Sequence, residues 1–206
     1  MPSFPDLDQP LTGDGVAVRP AAERDIPEVL IAYQDDPELH LRMGEARPPS
    51  GAELGRLAER AAADRAGGRA MTLTIVRLGS DVCIGQLNVH HADWENARVE
   101  LGMWLAPQAR GRGLAPAALR LVARWLLQEV GFDRVQLLTE TGNDRLLRAA
   151  EAAGFQREGV LHGFLREQPD DSRAARSGDA GGRAHGKREG RVDAVVLSLV
   201  QRDLAG

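Results

Sequence analysis

The segment "QARGRGLA", residues 108–115, constrains the fold more than any other stretch of the chain. It follows residues 98–106, whose apolar side chains alternate as in a strand, and leads into residues 116–130, whose apolar side chains recur at helical spacing. A helix N-terminus leaves main-chain N–H groups without partners and carries partial positive charge, and glycine lets an anion approach the main chain. The segment therefore predicts a phosphate or pyrophosphate site. The alternative is an ordinary glycine-rich connection in a chain that has 23 glycines.

Strands and helices alternate along the rest of the chain. Strands are expected at 16–21, 71–78, 83–91, 98–106, 133–140, 155–165 and 191–200, and helices at 23–36, 48–68, 116–130 and 143–153. Ser50 and Glu53 have the spacing of a capping box at the start of the second helix. This order predicts a mixed α/β sheet with helices on its faces.

Two segments differ from this pattern. Residues 1–14 are rich in proline and aspartate, and we expect a flexible N-terminal arm there, with residues 15–206 forming a single domain. Residues 166–190 contain no large apolar side chain, so that segment cannot bury enough surface to order itself. We expect a mobile loop over 166–190, with a substrate lid as the alternative.

Composition excludes several classes of protein. The net charge of −4 and pI near 5.8 give no electrostatic footprint for nucleic acid, and no apolar run approaches the roughly 20 residues that span a bilayer. The first residues lack the pattern of a signal peptide, so a cytoplasmic location is expected. The single cysteine, Cys83, excludes an intrachain disulfide and a cysteine-based zinc site. We expect a packing role for its side chain.

The residues around the glycine loop resemble a known family. Gln108-x-x-Gly111-x-Gly113 fits the Gln/Arg-x-x-Gly-x-Gly/Ala signature of the GCN5-related N-acetyltransferases (GNAT). Residues 99–161, with the strand "ELGMW" before the loop and the helix "NDRLLRAAEAAGF" after the next strand, resemble the ribosomal-protein alanine acetyltransferase branch. The resemblance implies an α+β fold in which about 4 helices flank a mixed, mostly antiparallel sheet of about 6–7 strands. It also implies acetyl-CoA as co-substrate and no metal.

The resemblance assigns a set of residues to coenzyme A (CoA). Main-chain N–H groups of the loop and the helix start would hold its pyrophosphate, namely those of Arg110, Gly111, Arg112, Gly113, Leu114 and Ala115. The pantetheine arm would lie like a short strand along the main chain from Met103 through Trp104 to Leu105, between splayed strands. The Asn143 amide would bond that arm, although Asn143 also suits a helix N-cap.

Two positions depart from the family pattern. Leu146 stands where this branch often has serine, and Ala150 stands where relatives in other branches have a tyrosine general acid. The single tyrosine, Tyr33, lies in the first helix, so a tyrosine acid at the usual place is excluded. A CoA thiol should resemble cysteine, with a pKa near 8.5, so its thiolate is a tolerable leaving group without an acid.

The reaction needs a base, because an alkylammonium must lose a proton before it attacks a thioester. Glu100 is the first candidate: it shares a strand face with Gly102 and Trp104, where a cofactor arm can approach. A solvated or salt-bridged glutamate, paired with Arg98, is the alternative. His90 and His91 are the next candidates, and strand alternation predicts that they face opposite sides.

These residues predict an N-acetyltransferase in which the amine attacks acetyl-CoA directly in a ternary complex. The acceptor would be a protein N-terminus or a small amine, and the chain would act as a monomer or homodimer. Acidic residues between the first two helices hint at a cationic acceptor; they are Asp35, Asp36, Glu38 and Glu45. The alternatives are another acyl donor such as succinyl-CoA, and a non-catalytic acyl-CoA sensor or interaction domain.

Overall fold

The computed structural model describes residues 2–166 and 190–205 as one sheet with helices on both faces. Its strands are β1 (Leu11–Gly13), β2 (Val16–Pro20), β3 (Met71–Arg77), β4 (Cys83–Asp93), β5 (Arg98–Leu105), β6 (Arg134–Glu140), β7 (Gln156–Arg166) and β8 (Arg191–Val200). Its α-helices are α1 (Ile26–Asp35), α2 (Leu39–Arg42), α3 (Gly51–Ala66), α4 (Leu114–Trp125) and α5 (Asp144–Ala152). A π-helical turn, Leu126–Val130, continues α4. The capping box of Ser50 and Glu53 starts α3 as predicted.

The sheet runs in the order β1-β2-β3-β4-β5-β6-β8-β7. Every neighbouring pair is antiparallel except β5 and β6, which run parallel. The expected mixed, mostly antiparallel α/β sheet is therefore confirmed. The described residues form eight strands and five α-helices, slightly more than expected, because the pattern of residues did not predict β1 or the single turn of α2.

The N-terminal residues do not form the loose arm that their composition suggested. Phe4 is only 1% exposed and packs against Trp94 and Phe132, with ring centroids 5.2 and 6.1 Å away. The short strand β1 extends the sheet by pairing with β2. Burial of this ring stabilises the folded chain by about 2 kcal/mol, and the Phe4 N–H also donates to the carbonyl of Arg65 at 3.1 Å.

Two apolar clusters lie on opposite faces of the sheet, and β5 contributes to both. Val99, Leu101 and Met103 enter the larger cluster, which includes residues of α4 and α5. Trp104 enters the smaller one, which is formed with residues of α1 and α2. The alternation read from the sequence thus assigns the faces of β5 correctly. It also places Glu100 and Gly102 on the face covered by the first helices.

Most of the predicted mobile loop, 166–190, lies outside the described residues, which include only its two ends. None of the described helices combines the length and apolarity needed to cross a membrane.

Candidate active site

The loop before α4 has the backbone form that its glycines suggested. A short 3₁₀ turn, Pro107–Ala109, follows β5, and α4 begins at Leu114. Gly111 and Gly113 adopt left-handed backbone angles, with φ of +71° and +74°, and a Cβ at either would meet nothing within 4 Å. Within the described residues, no group accepts from the five main-chain N–H groups of residues 111–115. The loop therefore presents a row of unpaired donors on an open surface.

Arg110 does not direct its charge toward that row. Its main-chain N–H donates to the carbonyl of Pro107 at 3.2 Å, and its Nε donates to the carbonyl of Leu105 at 2.9 Å. Its guanidinium forms an ion pair with Asp36, which also binds Arg42. Of the two loop arginines, only Arg112 has its side chain exposed. Gln108 is also exposed, on the 3₁₀ turn.

Strands β5 and β6 part immediately after Glu100. Their parallel register holds only from Arg98 to Glu100, opposite Arg134 to Gln136. The Ala106 N–H donates to the carbonyl of Ile84 in β4. In an antiparallel pair, successive residues of a strand point their N–H and C=O groups alternately toward and away from the partner strand. Leu105 and Met103, one and three residues before Ala106, therefore point these groups away from β4. These groups face the opening between β5 and β6, which we call the β5–β6 cleft. The splayed strands that the resemblance implied are therefore present.

Trp104 does not reach the β5–β6 cleft. The same alternation turns its main-chain groups toward β4. Its indole is 5% exposed and lies 6.4 Å, between ring centroids, from Tyr33. The expected cofactor contact at Trp104 is thus not supported, because the residue belongs to the core beneath α1.

Asn143 caps α5, as its alternative role predicted. Its Oδ1 accepts from the Leu146 N–H at 3.3 Å, and its Nδ2 donates to Thr139 Oγ1 of β6 at 3.0 Å. An amide nitrogen has two N–H groups, so one of them is available to a ligand. Ala150, at the position of the missing tyrosine, is fully buried in α5.

The three candidate bases lie together on the face covered by the first helices. Glu100 is paired in register with His90. The carboxylate oxygens of Glu100 lie 4.0 Å from His90 Nδ1 and 3.5 Å from His91 Nδ1, and the two Nδ1 atoms are 3.1 Å apart. The expectation that the histidines face opposite sides is wrong. The β4–β5 register shifts between His90 and Asp93, and His91 takes a φ of +50°, which turns both rings to one side.

The cluster is buried on one side and open on the other. Side-chain exposure is 16% for Glu100, 32% for His90 and 76% for His91. Burial lowers the pKa of His90, and the nearby His91 lowers it further, whereas Glu100 acts in the opposite direction. The Gly102 position leaves room for the His90 ring, since a Cβ there would lie 3.3 Å from Nε2.

Glu100 is not paired with Arg98, which was its alternative role. Arg98 donates instead to Asp93 at 2.9 Å. Gln136 of β6 donates to Glu100 at 3.4 Å across the last paired residues of β5 and β6. Sequence reasoning missed Gln136 and Thr139. Thr139 occupies a buried position in line with Val135 and Leu137, and Gln136 lies on the other face of β6, so their polar character in a mainly apolar strand was their only signal.

The acidic residues after α1 have internal partners. Asp36 binds Arg42 and Arg110, and Glu38 binds Arg42. Glu45 accepts a hydrogen bond from the Tyr33 hydroxyl at 2.9 Å, and burial raises the pKa of this carboxyl. Asp36 and Glu38 therefore do not offer free charge to a cationic acceptor.

Comparison with known proteins identifies the family. The model of the family described as "Acetyltransferase (GNAT) domain" matches residues 16–156. YdaF of Bacillus subtilis (strain 168), which bears the name of a ribosomal N-acetyltransferase, is 31% identical over 75 residues. That stretch covers 36% of this chain and 41% of YdaF, so the alignment spans less than half of the relative's length. The sequence resemblance to the GNAT family is thereby confirmed, and YdaF is consistent with the ribosomal-protein branch.

Solved structures share the whole fold. RimJ of Mycobacterium smegmatis, in complex with CoA-disulfide, has a TM-score of 0.71 at 19% identity, covering 96% of this chain and 88% of its own. Spermidine N-acetyltransferase of Vibrio cholerae, in complex with CoA and spermine, has a TM-score of 0.72 at 13% identity, covering 94% and 100%. At these identities the likeness establishes the fold alone.

Proposed function

The chain belongs to the acetyltransferase (GNAT) domain family, and from that premise we propose that it transfers an acetyl group from acetyl-CoA to a primary amine by direct attack in a ternary complex. The observation that carries the proposal is the row of unpaired main-chain N–H groups of residues 111–115 at the start of α4. A pyrophosphate would accept from these donors, and its charge would be stabilised by the helix N-terminus and by the exposed Arg112. The complexes of the two structural neighbours with CoA compounds agree with this assignment.

The β5–β6 cleft gives the pantetheine arm a path from the loop to the candidate bases. The loop follows the C-terminal end of β5, and Glu100 is the last β5 residue paired with β6. An extended arm that runs back along Leu105 and Met103 would bring its thioester toward Glu100. The cleft-facing groups of Met103 and the free N–H of Asn143 would bond the arm, while the carbonyl of Leu105 already accepts from Arg110.

The cluster of Glu100, His90 and His91 supplies the base. Glu100 would accept a proton from the ammonium group, directly or through water, and the neutral amine would attack the thioester carbonyl. A main-chain N–H of Met103 or Leu105 would donate to the oxyanion of the tetrahedral intermediate. As the intermediate collapses, the attacking nitrogen gives up a second proton, the amide forms and the carbon–sulfur bond breaks. The CoA thiolate takes up one of the two protons that the acceptor nitrogen has lost, and the other leaves Glu100 for solvent by way of the exposed ring of His91.

The acceptor would enter over the face covered by the first helices, where this cluster lies. YdaF, by name a ribosomal N-acetyltransferase, favours a ribosomal acceptor, for which we propose a protein N-terminus, and the spermidine enzyme is a structural precedent for a small polyamine. Asp35 and Glu45 are the acidic residues of this region that have no arginine partner among the described residues. Both could attract a cationic group, Asp35 from the exposed end of α1 and Glu45 from its partly buried position beside Tyr33.

The test is a turnover assay with acetyl-CoA and an amine panel of N-terminal alanine peptides, polyamines and aromatic amines, with succinyl-CoA as a second donor. Free thiol is followed alongside acetylated product. We expect turnover with one amine class, and a loss of about 10²- to 10⁴-fold in kcat for Glu100→Gln at unchanged acetyl-CoA affinity. Glu59→Gln, an exposed glutamate of α3, is the matched control and should retain full activity.

Three outcomes would count against the proposal. Binding of acetyl-CoA without turnover on any amine would favour the non-catalytic sensor. Faster turnover with succinyl-CoA would reassign the donor. A fully active Glu100→Gln variant would remove Glu100 from the role of base.

A further inference from the structure

The side chains of His90, His91 and Glu100 lie closer together than proton transfer alone requires. The two imidazole nitrogens and the carboxylate oxygens converge on one point from two strands, with separations of 3.1, 3.5 and 4.0 Å. Each residue therefore offers one ligand atom to the same small volume. His90 reaches this position as the in-register partner of Glu100, whereas His91 reaches it because it holds a φ of +50° beside the register shift in β4.

These separations match the ligand spacing of a tetrahedral metal site. For metal–ligand distances of 2.0–2.2 Å, neighbouring ligand atoms of a tetrahedron are roughly 3.3 to 3.6 Å apart. The 3.1 Å and 3.5 Å separations lie within about 0.2 Å of that range. The 4.0 Å separation is measured to the second carboxylate oxygen, so the carboxylate must turn for one oxygen to face both nitrogens. Gly102 is also suited to the site, since it leaves space beside the ring of His90.

The ligand set points to a particular class of ion. Two imidazoles and one carboxylate suit Zn²⁺ and other late first-row divalent metals, whereas Mg²⁺ and Ca²⁺ prefer sites made entirely of oxygen. Three protein ligands leave a fourth position for water or a substrate. That position would lie on the open side, where His91 is 76% exposed.

We propose that His90, His91 and Glu100 form a binding site for a divalent transition-metal ion, with Zn²⁺ as the best match. An ion bound there occupies the lone pairs that would accept the proton of the amine. Metal binding and acetyl transfer are then mutually exclusive, so Zn²⁺ is a reversible inhibitor. The inhibition rests on the proposed function, whereas the binding site does not.

The site is tested first by binding alone, without acetyl-CoA, on the tag-free full-length protein. Zn²⁺ is titrated by calorimetry, and Co²⁺ is used as a probe whose visible absorption reports the ligand geometry. We expect one tight equivalent that 1000-fold excess Mg²⁺ does not displace. His91→Ala and Glu100→Gln should each weaken Zn²⁺ binding by at least about 10-fold.

His162→Ala is the matched control, because His162 lies beside Asp193 on another part of the sheet, 3.0 Å from its carboxylate. It should bind Zn²⁺ as the wild type does, and thermal melting should show that all variants fold. Unchanged affinity in His91→Ala and Glu100→Gln would overturn the site. So would an equal loss in His162→Ala, which would place the metal elsewhere.

The second arm measures acetylated product by mass spectrometry, because the released CoA thiol itself binds Zn²⁺. Stoichiometric Zn²⁺ should abolish wild-type turnover, and a chelator should restore it. Full activity of the zinc-loaded protein would overturn the competition but not the site. If no amine is acetylated at all, the proposed function fails while the titrations still decide the metal site.

Discussion

Asp36, which follows α1, forms an ion pair with Arg110 in the loop before α4, across 74 positions of sequence. Arg42 of α2 binds the same carboxylate from the other side. Burial alone would raise the pKa of Asp36, but the two arginines hold it below the usual value, so the group stays ionised. One carboxylate thus ties the proposed CoA loop to the connection that leads into the acceptor region.

From this ion pair we predict that Arg110 contributes to acetyl-CoA binding by anchoring the loop, and not by attracting the phosphate with its charge. Arg110→Lys keeps the charge but cannot span both Leu105 and Asp36, since lysine lacks the planar fork of arginine. We expect it to lower acetyl-CoA affinity by about 10-fold, equivalent to about 1.4 kcal/mol, as Arg110→Ala does. Calorimetry measures this. Wild-type affinity in Arg110→Lys would show that charge alone matters.

Substitutions at Gly111 and Gly113 can separate the effect of backbone conformation on stability from the effect of ligand approach on acetyl-CoA affinity. Alanine has room at both positions, so only the left-handed backbone opposes it, at about 1 kcal/mol each by urea unfolding. Aspartate carries no greater conformational cost, since it adopts the left-handed region more readily than alanine, but it places a carboxylate beside the row of donors. We expect Gly111→Asp and Gly113→Asp to bind acetyl-CoA far more weakly than the alanine variants.

Gly79→Asp is the control for the glycine series, because Gly79 has a φ of +81° and an equally open Cβ position in the turn after β3. It should lose stability without losing acetyl-CoA affinity. Equal affinity of the alanine and aspartate variants at 111 and 113 would argue against a phosphate at this loop.

The parts of the site that sequence predicted are those fixed by neighbours in the chain. The turn of Gly111 and Gly113, the cap at Asn143 and the faces of β5 follow from local backbone preference and alternation. The contact of His90 with His91 could not be predicted, because it depends on a register shift set by pairing between two strands.

Long-range contacts could not be predicted from the sequence for the same reason. The anchoring of Arg110 by Asp36 joins segments far apart in the chain, and nothing near either residue indicates the other. Phe4 lies in a segment whose composition suggested disorder, yet its ring is buried against residues far away in the sequence.

Substitution of Cys83 tests whether the acetyl group passes through a covalent enzyme intermediate. Its side chain is buried and contacts the carbonyl of Gly85 at 3.5 Å, and burial raises the pKa of the thiol to about 11. A thiol in this state is a poor nucleophile. We expect Cys83→Ala to retain kcat within about 2-fold and the native protein to resist thiol reagents. Loss of turnover in a folded Cys83→Ala variant would contradict direct attack.

Acid stability should depend on the buried pair of Arg19 and Asp25. Asp25 is 2% exposed and accepts from Arg19 at 2.7 and 2.9 Å, from Thr74 at 2.7 Å and from the Ala22 N–H at 3.0 Å. Burial alone would raise the pKa of Asp25, but the hydrogen bond from Arg19 and those from Ala22 and Thr74 hold it below the usual value.

Because the folded pKa of Asp25 is depressed, its contribution to stability is complete above the unfolded value of about 3.9 and is lost as the pH falls toward the folded value. Asp25→Asn leaves Arg19 with Asp81 as its remaining acidic partner and should cost about 3 kcal/mol at pH 7 by urea unfolding. The difference from wild type should shrink at pH 3. Asp35→Asn, at an exposed position, should cost little at either pH. A wild-type advantage over Asp25→Asn that grows on acidification would show that the carboxylate is not held ionised by its partners.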